Sequence, residues 1–80
     1  MLVHEMPLAM ASPGEEVRVV DIRAGRGLRQ RLADMGLTPG TVLKVLSSRG
    51  SGPTLIECRG SRLVLGFGVA QKVMVEKPGG

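Results

Sequence analysis

The sequence predicts a mainly β domain, a small antiparallel barrel with one short inserted helix. Three observations carry that prediction. Twelve of the 80 residues are glycine, a share that goes with many tight turns. Between the turns lie short runs of Val, Leu and Ile, each of strand length. A single segment, at about residues 28–35, has helical spacing, with Leu28, Leu32 and Met35 at i, i+4 and i+7 on one face. A chain of this length forms one domain and buries only about 60–65% of its unfolded surface, near the limit for folding unaided. Closing the sheet is the economical answer at that size, because an open sheet leaves edges exposed.

The elements follow in order. Residues 1–6 read as a leader, 7–76 as a single domain and 77–80 as a frayed tail. Leu8 and Met10 alternate in a very short strand, and Ser12-Pro13-Gly14-Glu15 is a turn. In the strand from Glu16 to Arg23, Val17 and Val19 share one parity while Val20 and Ile22 take the other. Such a phase change predicts burial on both faces or a bulge at Val19-Val20. Gly27 serves as N-cap of the helix. Gly36 stops it in the left-handed conformation, with Leu37 packing back on Leu32. Thr38-Pro39-Gly40-Thr41 fits a type II turn. Thr41–Ser47 is the next strand, and residues 48–53 form a mobile polar loop. Thr54–Cys58 and Arg62–Leu65 pair as a hairpin turning at Gly60-Ser61, the Gly-X pair of a type II′ turn, with Ile56 and Cys58 facing Leu63 and Leu65. Residues 66–70 hold one turn of 3₁₀ helix, and residues 72–76 close the domain with Val73 and Val75 inward.

Composition narrows the function. Phe67 is the one aromatic residue, so the core is aliphatic, with Met10 and Met35 assigned to it. The formal net charge is +4, unevenly placed: residues 1–17 carry acids and no base, whereas Arg18, Arg23, Arg26, Arg29 and Arg31 follow closely. One cysteine, Cys58, excludes an internal disulfide. Together with an N-terminus unlike a signal peptide and no apolar run of spanning length, this points to a reducing, cytoplasmic location.

Site chemistry is sparse. His4 is alone, no Gly-x-Ser-x-Gly elbow occurs, and Asp21, Asp34, Glu57 and Glu76 each have a nearby base. Surface ion pairs explain these acids better than catalytic pairs do, and the expectation is a non-enzyme. Cys58 alternates in phase with Ile56 and reads as a small buried hydrophobe, so neither a metal site nor a cofactor is expected. Gly25-Arg-Gly27-Leu-Arg-Gln30 lacks both the last glycine and the βαβ context of a dinucleotide loop. An RNA-binding barrel is supported by the basic charge through phosphate contacts, but it has only Phe67 on which to stack bases.

The ordered set Gly25-x-Gly27-Leu-x-x-Arg31-Leu-x-x-Met-Gly36-Leu-x-Pro-Gly40 resembles the pattern of the FeoA family, small accessory proteins of bacterial ferrous-iron uptake. Glu16–Ile22, Thr41–Val45, Gly52-Pro53, Arg59–Leu63, Leu65-Gly66 and 70–75 extend the likeness over nearly the whole chain. The resemblance implies an SH3-like β-barrel with no catalytic activity or cofactor. It implies a cytoplasmic site of action and a membrane partner, the FeoB transporter with its guanine-nucleotide-binding domain. Similar modules end some metal-dependent repressors, which is the lesser alternative alongside RNA. Phe67 departs from the pattern, where an arginine or other polar residue is expected, and either adds to an apolar contact patch or plugs the barrel end. The residues proposed to meet a partner are Arg26, Arg29, Arg31 and Phe67, with Arg31 pairing to Asp34 as the purely structural option. Weak self-association is a further partner class, without membrane insertion.

Overall fold

The computed structural model describes residues 5–78. Residues 1–4 of the expected leader, His4 among them, and Gly79 and Gly80 of the expected tail lie outside that range. The elements are β1 (Met6–Pro7), a 3₁₀ turn (Leu8–Met10), β2 (Glu16–Ile22), α1 (Arg26–Asp34), β3 (Val42–Ser48), β4 (Thr54–Cys58), β5 (Ser61–Leu65), α2 (Phe67–Ala70) and β6 (Val73–Glu76). The strands form one antiparallel sheet ordered β1-β6-β2-β3-β4-β5. This is the expected SH3-like arrangement with its inserted helix, but the sheet is open. No ladder joins β5 to β1 among the described residues. The seam is instead crossed by helical turns: α2, which follows β5, packs against the 3₁₀ turn that follows β1. Leu8, Ala11 and Ala70, in or beside these turns, are buried, and the Ser48 hydroxyl donates to the Ala9 carbonyl at 3.3 Å.

One core holds the molecule together. Val17, Val19, Ile22, Leu43, Val45, Ile56, Leu65, Val73 and Val75 enter it from five strands, joined by Leu8, Leu32 and Leu37. The parity change in β2 has its predicted cause. The β2–β6 register shifts between Val19 and Asp21, and the extra residue returns Ile22 to the core face. A second irregularity lies between Val45 and Ser47 in β3.

The helix begins earlier than its apolar spacing indicates, with Gly25 rather than Gly27 as N-cap. It ends in a Schellman stop: the Leu37 amide donates to the Leu32 carbonyl at 2.8 Å and the Gly36 amide to Ala33 at 2.9 Å. Gly36 takes φ 90°, a conformation that a Cβ would strain. Leu37 swings into the core beside Leu32, while Met35 is 42% exposed. The expected core position of Met35 is corrected here: it is the C-cap residue, and the chain reversal gives its place to Leu37. Met10, also expected inside, is 71% exposed. Residues 8–10 turn as a 3₁₀ helix instead of alternating as a strand, which buries Leu8, leaves Ala9 partly buried against the core and turns Met10 out.

The turn at 38–41 is of the expected kind, with Gly40 at φ 98° and the Thr41 amide donating to Thr38 at 3.0 Å. The hairpin turn is not. Arg59 and Gly60 occupy it, at φ 53° and 79°, so it is type I′ rather than II′. Ile56 therefore faces Leu63 and Cys58 faces Ser61, a register two residues from the expected one that keeps the same face inward. Residues 67–70 form a single α turn, not 3₁₀, with the Gln71 amide donating to Phe67 at 2.9 Å. Val73 and Val75 are buried as expected.

The exchange of Met35 for Leu37 has a measurable consequence. Leu37→Ala is expected to lose about 2–5 kcal/mol in urea unfolding, the usual range for a buried leucine. Met35→Ala stays within about 0.5 kcal/mol, as surface substitutions do. Equal losses at the two positions would contradict this packing.

Candidate functional site

The first turns of α1 carry Arg26, Arg29, Gln30 and Ala33 at i, i+3, i+4 and i+7, one helical face. That face meets Ile22 at the end of β2 and Leu37, Thr38 and Pro39 after the helix. Together they line a groove of about 210 Å³. Its floor is aliphatic and its rim carries two guanidinium groups. The groove owes its shape to the helix stop, because the Thr41 hydroxyl donates to the Gly36 carbonyl at 3.1 Å and receives the Thr38 amide at 3.3 Å. These bonds hold Thr38 and Pro39 opposite the helix.

The four proposed contact residues do not form one site. Arg26 and Arg29 line the groove, with Arg26 exposed. Arg29 also serves the fold, since its Nη1 donates to the Ile22 carbonyl at 2.6 Å and lies 3.8 Å from Asp21 Oδ1. It fastens the helix to the end of β2. Arg31 is exposed but lies outside the groove lining, about 140° around the helix from Arg26 at 3.6 residues per turn. It makes no ion pair among the described residues. The acid assigned to it, Asp34, instead accepts from Gln30 Nε2 at 3.0 Å. Phe67 opens α2, half-buried, outside both the groove lining and the set of side chains packed on the core. Sequence reading missed Gln30, Ala33, Thr38 and Pro39. The signal was there in the spacing from Arg26 to Ala33, but a helix started at residue 28 cuts Arg26 off from that face.

The acidic side chains are largely engaged. Glu76 lies 3.4 Å from Arg18, Glu5 lies 3.8 Å from Arg23, and Asp21 accepts from the Ile22 amide at 2.9 Å. Among the described residues no three of His, Cys, Asp and Glu gather as a metal-holding group. Cys58 is buried. No helix among them is long and apolar enough to cross a membrane. A second hollow, about 260 Å³, is lined by Glu15, Glu16, Lys77 and Pro78. Glu15 lies 3.0 Å from Lys77 Nζ there. The Ser12 amide, and then Lys77, hold its carboxyl below the ordinary value of 4.5.

The FeoA domain family matches residues 6–77. A protein of Methanocaldococcus jannaschii described as a candidate Fe(2+) transport protein A is 49% identical over 70 residues, 88% of this chain and 84% of that one. A crystal structure of an iron uptake regulatory protein, FeoA, is 42% identical, with a TM-score of 0.85 over 91% of this chain and 97% of the other. A manganese-dependent transcriptional repressor, 22% identical, superposes with a TM-score of 0.85 over 96% of this chain and 44% of the repressor, and the likeness there is of fold alone.

The lowered Glu15 value gives a pH dependence with a definite sign. A carboxylate with a depressed folded value contributes stability that is fully present above its ordinary value and is lost as pH falls through the lowered one. Urea unfolding of wild type and Glu15→Gln should therefore separate above about pH 4.5, wild type the more stable, and converge in stronger acid. Parallel curves throughout would remove Glu15 from this role.

Proposed function

The chain belongs to the FeoA family, and from that premise we propose that it is a non-catalytic accessory protein of ferrous iron uptake, acting on the cytoplasmic side through contact with a FeoB-type membrane transporter. The observation that carries the reading is the match over residues 6–77, one continuous domain, with a relative at 49% identity whose description names Fe(2+) transport.

The geometry supports contact rather than catalysis. The groove beside α1 is shallow, with an aliphatic floor and guanidinium groups at its rim, a surface suited to another protein's carboxylates and apolar side chains. Most of the acids that general acid–base chemistry would use are already committed to basic or amide partners. Of the three helix arginines, Arg26 at the groove rim and Arg31 on the helix surface beyond it make no side-chain hydrogen bond or ion pair among the described residues. They are free to reach a partner that covers both, whereas Arg29 also holds the end of β2. The RNA and repressor readings have no comparable support.

Copurification from detergent-solubilised membranes tests the proposal. The double variant Arg26→Glu/Arg31→Glu should recover about tenfold less transporter than wild type, equivalent to roughly 1.4 kcal/mol. Its unfolding free energy should stay within about 0.5 kcal/mol of wild type, because neither side chain is buried. Equal recovery by variant and wild type would remove these arginines from the contact. Failure of wild type to recover any transporter would overturn the partner assignment.

A further inference from the structure

The open sheet has two unlike edges. β1 is two residues long, contains Pro7 and turns at once into the 3₁₀ helix, all devices that blunt an edge. β5 has none of them. It runs for five residues, Ser61–Leu65, without proline or bulge, and among the described residues it pairs only to β4. Ser61, Arg62 and Val64 are exposed, Val64 to 68%.

The hairpin sets which backbone groups of β5 are free. A two-residue type I′ turn at Arg59-Gly60 makes Cys58 and Ser61 a hydrogen-bonded pair, and alternate pairs follow: Ile56 with Leu63 and Thr54 with Leu65. The N–H and C=O groups of Ser61, Leu63 and Leu65 thus face β4. Those of Arg62 and Val64 face outward, with no strand among the described residues to receive them.

We propose that this edge pairs with β5 of a second copy of the chain, antiparallel about Leu63, in a weak, concentration-dependent dimer. This register overlaps the whole strand. It sets Arg62 opposite the partner's Val64, and Val64 opposite the partner's Arg62, as hydrogen-bonded pairs using the outward groups. Leu63, half-buried against the core, meets the partner's Leu63 in the closer non-hydrogen-bonded position. The outer face fits as well. Arg62 ends a row of alternating charge that crosses the sheet through Glu57, Lys44 and Glu16. The partner's Val64 adds an apolar neighbour to that row, under the aliphatic stem of Arg62, where a second guanidinium would repel. A register centred on Arg62 would oppose like charges and is disfavoured. Contact through one short edge is small for a protein interface, so the dimer is weak.

Amide hydrogen exchange and sedimentation equilibrium on the full chain, from micromolar to millimolar concentration, test the proposal. Wild type should shift toward dimer as concentration rises, with the Arg62 and Val64 amides slowing several-fold and those of Ser61 and Leu63 unchanged. Val64→Pro removes an outward amide without breaking the β4–β5 ladder and should leave the chain monomeric. Val64→Lys, which retains the amide but places an ammonium opposite the partner's Arg62, should do the same and covers any failure of the proline variant to fold. A wild type that stays monomeric throughout, with Arg62 and Val64 exchanging freely, overturns the proposal and leaves the edge to a strand of another protein. A dimer that survives Val64→Lys overturns it too.

Discussion

The reversal from Leu32 to Thr41 is the constraint on which the rest of the structure depends. The stop at Gly36 sends Leu37 into the core, and the type II turn at Gly40 then lays the chain against β2. There the Gly40 amide donates to the Val19 carbonyl at 2.7 Å and the Val19 amide to Thr41 at 2.8 Å. Those two bonds extend the β2–β3 ladder beyond Arg18 and Val42, where the register of the two strands ends. One local event thereby sets a helix direction, a buried leucine and a strand pairing. With a single phenylalanine in the chain, the core is a mosaic of small aliphatic groups, and each depends on such positioning.

How far the sequence reveals this varies with the kind of signal. The helix stop, the type II turn and the β2 bulge are all legible. Each leaves a local mark, either a residue type required by backbone conformation or a parity change in the apolar pattern. Met10 and Met35 are misplaced by their spacing because periodicity reports which side chains share a face only while the element continues. Met35 stands at the cap and Met10 in a 3₁₀ turn, so extrapolated spacing fails at both. The hairpin turn is displaced by one residue for another reason. Gly60 is available for the first II′ position, but the chain holds Arg59 as well as Gly60 in the left-handed region, at φ 53° and 79°. A residue with a Cβ seldom takes that conformation, so the residue type at 59 gives no sign of it.

The candidate site is half legible for a related reason. Arginine clustering singles out the helix that lines the groove, and membership of the family gives it a context. What sequence alone does not reveal is the division of labour among the arginines. Arg29 bonds a carbonyl at the end of β2, a partner that only the folded chain supplies. Arg26, one turn earlier on the same face, has no such obligation among the described residues. A guanidinium has more donors than one carbonyl can use, so Arg29 joins structure and surface in a single residue. A charge reversal there would report on both at once.

The open sheet also follows from how the small core is filled. Closure by hydrogen bonds would require β5 and β1 to run side by side, but β1 lasts only two residues before the chain turns to bring Leu8 inward. Side-chain packing takes its place: Leu8 in the 3₁₀ turn and Ala70 in α2 are both fully buried, and the two turns lie against each other. Burying them removes apolar surface from water that a domain this small cannot leave exposed. The cost falls on β5, whose outer backbone groups are left to solvent. Hydrogen bonds exchanged with water cost little while the edge stays wet, so the fold tolerates the opening. An unprotected edge of five residues still remains, beside a domain that has blunted its other edge with a proline and a helical turn.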